Sequence, residues 1–102
     1  KLNMRNNRIT IIKNNYFLVL RYISDFDLSQ NRLEIIEDNS LINLNLLRNL
    51  DLSQNYLKNL TKYSLKGLFR LVRLNLSNNM IEIINKDFFS DNVELIHLDL
   101  SM

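Results

Sequence analysis

His97 is the only histidine in this chain, and cysteine is absent. A histidine does general acid–base or nucleophilic work when a hydroxyl, thiol or carboxylate stands ready beside it. The sequence offers His97 no paired base or nucleophile. The aspartates suggest a second chemistry. Asp27, Asp51 and Asp99 fall on one series of positions with a 24-residue step, and Asp25 lies two residues before the first. Carboxylates stacked in that way can hold a hard cation, but Asn75 interrupts the series and solvent relieves the remaining repulsion. The sequence therefore names no catalytic residue, no metal-ligand set and no cofactor.

The most regular series belongs to a side chain without acid–base chemistry. Asn7, Asn31, Asn55 and Asn79 stand 24 residues apart, and the same offsets around each carry apolar residues. Eight positions before the marker stand Ile23, Leu47 and Leu71, with Leu95 opening a further unit. Five before stand Leu2, Phe26, Leu50, Leu74 and Leu98; three before stand Met4, Leu28, Leu52, Leu76 and Leu100. Two after come Ile9, Leu33, Leu57 and Ile81, and five after come Ile12, Ile36, Leu60 and Ile84. Ten after come Phe17, Leu41, Leu65 and Phe89; thirteen after come Leu20, Leu44 and Leu68, a column that Asn92 breaks. A fixed period without insertions is the signature of a repeat protein. Its coils run 1–22 (partial), 23–46, 47–70, 71–94 and 95–102 (partial).

Each coil must carry its marker on a defined element. In "LRNLDLS" apolar and polar residues alternate, as in a strand with one buried face. Leu50 and Leu52 are then expected to point inward, and Asn49, Asp51 and Ser53 outward. Strands that recur in one direction are parallel, joined by arcs with inward residues such as Leu57, Leu60, Leu65 and Leu68. A single coil cannot bury its own apolar side, so stability must come from neighbouring coils. Where a strand ends, backbone groups lose their ladder partners. An asparagine amide has two donors and an acceptor, so stacked asparagines are expected to pair backbone groups of their own coil and the next.

Composition sets limits. The chain has 102 residues, of which 46% are hydrophobic, with one glycine and no proline. That apolar content excludes disorder by composition. Tight turns usually demand more glycine and proline, so wide, gradual bends are expected. The net charge of +2 is small and evenly spread, which does not point to nucleic acid. No apolar run approaches the roughly 18 residues that span a bilayer, and no signal-peptide pattern is present, so direct membrane insertion by this segment is not expected. Without cysteine there is no disulfide or thiolate metal site, and the redox compartment cannot be read.

"LRNLDLSQNYLKNL" and "LVRLNLSNNMIEII" resemble leucine-rich repeats, whose pattern is LxxLxLxxNxLxxL followed by xxxxFxxLxx. The resemblance covers the whole chain, and asparagines in register make it specific. Unit length, the "LDLS" strand, Phe17 and Phe89 resemble the "typical" subclass of animal extracellular and cell-surface proteins. That subclass includes Toll-like receptors, Slit-like proteins and acid-labile-subunit-like secreted proteins. The LxGxIP of plant receptors and the longer units of ribonuclease inhibitors are absent. Where the family often has proline in the arc, this chain has Lys13, Glu37, Thr61 and Asn85. The resemblance implies an α/β fold: a curved horseshoe segment of a solenoid, with a parallel sheet on the concave side and irregular, short-helical arcs on the convex side. It further implies an extracellular or cell-surface location, no enzymatic activity, and a protein ligand or co-receptor as partner. Family members close their ends with cysteine-rich caps. Without them, the chain is expected to be an excerpt flanked by neighbouring repeats or caps of a parent chain, rather than a short protein with dimerising ends.

The family's concave side is often its ligand face. Candidate contacts there are Asp25, Asp27, Asn49, Asp51, Arg73, His97 and Asp99, with Tyr56 beside the asparagine series. Arg73, His97, Tyr56 and Met80 depart from the repeat default. The Asp and Ser columns also read simply as solubility and strand spacing. Five strands about 4.8 Å apart, showing about five residues each, present only about 300 Å². A standard interface takes about 800 Å² per partner, so these coils contribute part of any recognition surface. The sequons "NLT" at Asn59 and "NLS" at Asn75 are candidate N-glycosylation sites, and sugar on Asn75 would obstruct the concave face. In "NNYFLVLRYI" the register turns Phe17, Leu20 and Ile23 inward. It leaves Leu18, Val19 and Tyr22 for a short helical turn packed on the neighbouring coil, in preference to an exposed patch. Two functions follow: a non-catalytic protein-interaction module of a receptor-like ectodomain, in innate immunity or adhesion, or a structural spacer between binding regions elsewhere. Regulatory repeats on an intracellular enzyme are a third, which flanking sequence would decide.

Overall fold

The computed structural model describes residues 1–84 and 87–101. Its strands are β1 (Leu2–Asn3), β2 (Ile11–Ile12), β3 (Asp25–Asp27), β4 (Ile35–Ile36), β5 (Asn49–Asp51), β6 (Arg73–Asn75) and β7 (His97–Asp99). One parallel sheet holds β1-β3-β5-β6-β7 in that order. The register advances by one repeat at every step: Leu2 pairs with Phe26, Phe26 with Leu50, Leu50 with Leu74, and Leu74 with Leu98. A second parallel seam pairs β2 with β4 and continues as a bridge from Asn59 to Ile83. The result is a solenoid of about four turns, and its shape follows from the sequence period.

The core is one continuous column. Phe26, Leu50 and Leu74 from the strands meet Leu41, Leu65 and Leu44, Leu68 from the arcs, all buried. Phe17 packs edge-on to Phe26 with ring centroids 5.0 Å apart. Leu98 and Leu100, on the last described coil, are exposed.

The arcs are built from turns, and no residue among those described is helical. Their inward residues are spaced three apart and joined directly: Leu20 N–H donates to the Phe17 carbonyl, and Ile23 N–H to Leu20. Leu41, Leu44 and Leu47 repeat this pattern, as do Leu65, Leu68 and Leu71. A helix needs such bonds on successive residues; here each turn is completed before the next begins. The expected short-helical arc is therefore a chain of single turns. Asn92 continues the pattern, accepting from Leu95 N–H and donating its own N–H to Phe89. In that coil Phe88 is fully buried while Phe89 is partly so, their rings 4.7 Å apart. Asn85 lies outside the described residues.

Two further expectations are corrected. Leu18, Val19 and Tyr22 are exposed, Val19 to 86%, because a turn without a helical face gives them nothing to pack on. The bends, expected to be gradual, are sharp at two repeated points, one on the arcs at Asn15 and Asn39, with φ of 72° and 63°, and one on the strand side. Asn6, Gln30, Gln54 and Asn78, each just before a marker asparagine, have φ between 55° and 60°. Left-handed backbone costs a non-glycine residue about 1–2 kcal/mol. Here the cost is offset by hydrogen bonds between coils, since Asn6, Gln30, Gln54 and Asn78 donate their N–H to Ser29, Ser53, Ser77 and Ser101. Glycine is needed elsewhere. Gly67 has φ of 90°, and a Cβ there would lie 2.9 Å from the Cα and carbonyl oxygen of Ile42.

Candidate functional site

The marker asparagines stand in single file and carry the turn. The Nδ2 of Asn55 donates to the carbonyls of Leu28, Leu52 and Ser53 at 3.1, 3.0 and 3.1 Å, while its Oδ1 accepts Leu33 N–H at 2.9 Å. Asn31 makes the same four bonds to Met4, Leu28, Ser29 and Ile9. Asn79 makes them to Leu52, Leu76, Ser77 and Leu57. Each amide thus serves its own coil and the preceding one, where the sequence reading looked to the next. Asn7 reaches the carbonyls of Met4 and Arg5 in its own coil.

A second column sits one step outside. Asp27 Oδ1 accepts Ser29 N–H at 2.9 Å and Ser29 Oγ–H at 2.6 Å. Asn75 does the same for Ser77 at 3.0 and 2.7 Å. Asp51 accepts from Ser53 N–H, Asp99 from Ser101 N–H, and Asn3 from Arg5 N–H, each at 2.9 Å. These residues close a local turn where the strand stops, which is more than solubility and spacing. The same turn draws Ser29, Ser53 and Ser77 out of solvent. They were expected on the outward face and are buried. The backbone bond at Ser101 holds the Asp99 carboxyl below the ordinary carboxylate value.

The strand face forms an open trough of about 700 Å³. Asp25, Asp27, Asn49, Asp51, Arg73, His97 and Asp99 all line it, joined by Lys1 and Asn75. Tyr56 does not; it stands past the ladder on the adjacent flank, half exposed. Within the trough, Asn49 Nδ2 donates to Asp25 Oδ1, and Ser24 Oγ–H donates to Asp25 Oδ2 at 3.1 Å. The Asn49 bond is the main reason the Asp25 carboxyl titrates below its ordinary value; the Ser24 bond and the Lys1 side chain assist, against some loss of hydration. Asp25, Asp27 and Asp51 of β3 and β5 lie beside Arg73 of β6 on the same sheet, with Lys1 and Asp99 at its two edges.

Among the described residues no three histidine or acidic side chains converge as a metal site would require. No described helix is long and apolar enough to cross a membrane. Asn59 lies outside the trough, on the flank seam beside Ile83. A smaller hollow of about 370 Å³ on the arcs is lined by Lys62, Tyr63, Lys66, Asp87, Ser90 and Asp91. The Lys62 and Lys66 ammonium groups approach the Tyr63 ring at 5.0 and 5.2 Å. Sequence reasoning missed this group because it keeps no repeat register; a lysine on either side of a tyrosine was the available signal.

Comparison with known proteins adds the following. The family model described as leucine rich repeat matches residues 1–57 and 46–102. No curated protein matches the sequence. Among solved structures, a chain of the TLR13–ssRNA13 complex superposes with a TM-score of 0.90 and 30% identity over 96% of this chain. A chain of the Toll–Spatzle complex, described as a hub in Drosophila development and innate immunity, gives 0.87 and 17% identity over 96%. The latter is a likeness of fold. This chain spans 14% and 13% of those two chains.

Proposed function

The chain belongs to the leucine-rich repeat family, and from that premise we propose that it is a non-catalytic protein-binding segment of the ectodomain of a secreted or cell-surface protein. The observation that carries this reading is the trough. Seven strand-face residues that differ in charge from coil to coil line one concavity, on a scaffold whose buried residues barely vary. Asp25, Asp27 and Asp51 concentrate negative charge on β3 and β5, Arg73 and His97 offer donors on β6 and β7, and Lys1 and Asp99 add the opposite sign at either edge. Opposed charges at close quarters orient a partner and speed its encounter. Likeness to Toll and TLR13 supports a receptor-type ectodomain, with innate immunity or adhesion as its setting. The partner is a protein ligand or co-receptor. TLR13 was solved with single-stranded RNA, but the four aspartates of this trough, against Lys1 and Arg73, disfavour a phosphate backbone.

An alanine scan of Asn49, Asp51, Arg73 and His97 in the full-length protein tests the reading. Arg73→Ala and His97→Ala should each weaken partner binding by more than about twofold, with a stronger effect when combined. A second reading, that these coils act as a spacer, is favoured by the small face of about 300 Å². Unchanged affinity in all four variants would select it.

A further inference from the structure

We propose that Asn59 carries an N-linked glycan whose first sugars cover a stripe of isoleucines on the flank of the solenoid. The inference rests on the secretory location proposed above. The second parallel seam stacks Ile11, Ile35, Asn59 and Ile83 at one repeat position. Residues at equivalent positions of parallel coils lie about 4.8 Å apart and project the same way. Asn59 therefore stands between Ile35 and Ile83, which are 53% and 77% exposed. Met80 and Tyr56, just before the seam, are also more than half exposed. Contiguous apolar surface of this kind is normally covered. The one polar member of the stripe is the asparagine of a sequon, "NLT".

Local geometry suits that role. Asn59 is exposed, and its amide has no hydrogen bond to the described residues that a sugar would displace. The Lys58–Glu82 ion pair, 3.4 Å apart, lies one residue before the Asn59–Ile83 bridge and helps hold the two coils in register. The sequon hydroxyl of Thr61 donates to Asp38 Oδ1 at 2.6 Å in the folded chain, so on this proposal glycan transfer comes before that bond closes. In that transfer Asn59 Nδ2 attacks C1 of the first N-acetylglucosamine of a lipid-linked oligosaccharide. The C1–Nδ2 bond forms, the C1–O bond to the lipid pyrophosphate breaks, and the amide proton passes to a base of the host transferase. The pyranose C–H face and the acetamide methyl then lie against Ile35 and Ile83. Asn75 differs: it sits between Asp51 and Asp99 in the trough, with no apolar stripe to cover.

The test is glycopeptide mapping of the full-length protein, directed through the secretory route of cultured animal cells. The peptide bearing Asn59 should carry N-acetylhexosamine on most molecules. Asn59→Gln, or enzymatic removal of N-linked sugar from the folded protein, should raise binding of an apolar-sensing dye by about twofold or more with unchanged far-UV circular dichroism. An unmodified Asn59 overturns the proposal, as does a glycan whose removal leaves dye binding unchanged. Neither readout involves the trough or a partner, so the alanine scan can fail while this result stands, and the reverse.

Discussion

Asn55 and Asn92 are both buried, yet they belong to different kinds of structure. Asn55, on the strand side, uses donors and acceptor alike, serving the carbonyls of two coils and one N–H. Asn92, on the arc side, donates to the Leu68 and Leu65 carbonyls at 3.1 and 3.5 Å, while its buried Oδ1 has no partner among the described residues. The strand side repeats one solution. Asn31, Asn55 and Asn79 have matching bond sets, and the Leu28 and Leu52 carbonyls each receive two amides. On the arc side the backbone turns repeat, but the side-chain bonds differ from coil to coil: Asn14 N–H goes to Glu37 Oε1, Thr61 N–H to Ser64 Oγ, and Gly67 N–H to Asp91 Oδ2. The lesson is that regular backbone pairing sets the shape of the solenoid, and the arcs are free to vary around it.

The largest expected effect tests that freedom at its tightest point. Gly67→Ala combines a left-handed residue with a Cβ 2.9 Å from the backbone of Ile42. It should cost about 2–4 kcal/mol in urea unfolding. A neutral result would mean the arcs tolerate even direct contact between coils. Next comes the ladder. Asn55→Leu leaves Leu33 N–H buried and unpaired and should cost about 1–3 kcal/mol despite its added apolar surface. Equal or higher thermal stability would remove the difference between the strand side and the arcs. Asn92→Leu is the matched control. The Leu65 and Leu68 carbonyls keep backbone donors from Leu68 and Leu71, and an unmet acceptor is removed. Its stability should therefore stay within about 1 kcal/mol of the parent, or rise; a loss as large as that of Asn55→Leu would erase the contrast.

The smallest effect is electrostatic. Asp25 titrates below its ordinary value of 3.8, chiefly through Asn49. A depressed folded pKa contributes stability that is present above the unfolded value and is lost as pH falls through the folded one. Stability should therefore decline below about pH 3.8, slightly less so in Asp25→Asn. The difference is small because solvent screens the pair. Identical acid limbs for the two proteins would show that the Asn49 bond does not favour the charged form.

Legibility in the sequence followed the same division. Strand positions, their parallel direction and the file of asparagines could be read because the period leaves each residue only one set of neighbours. The burial of Ser29, Ser53 and Ser77 could not. Simple alternation put them outside, and the turn closed by Asp27, Asp51 and Asn75 is a local side-chain bond that overrides it. The left-handed residues Gln30 and Gln54 were hidden because glutamine carries no signal for positive φ. Arc details were least legible, since Leu18, Val19 and Tyr22 look buried by composition and become exposed when the helix meant to hold them is replaced by single turns. Of the trough, seven candidate contacts lie where the period put them, whereas Lys1 and Asn75 were not among those candidates and Tyr56 lies outside it. Tyr56 follows the left-handed bend, which carries it to the flank.

Native-state hydrogen exchange of the Leu33 amide, in the full-length protein and in Asn55→Leu, tests the stacked ladder most directly. That N–H has the Asn55 side chain as its acceptor. The account predicts protection comparable to the Leu28 and Leu52 amides in the parent protein, and selective loss of it in the variant. A Leu33 amide that exchanges as fast as an open loop, or stays protected without Asn55, would contradict it.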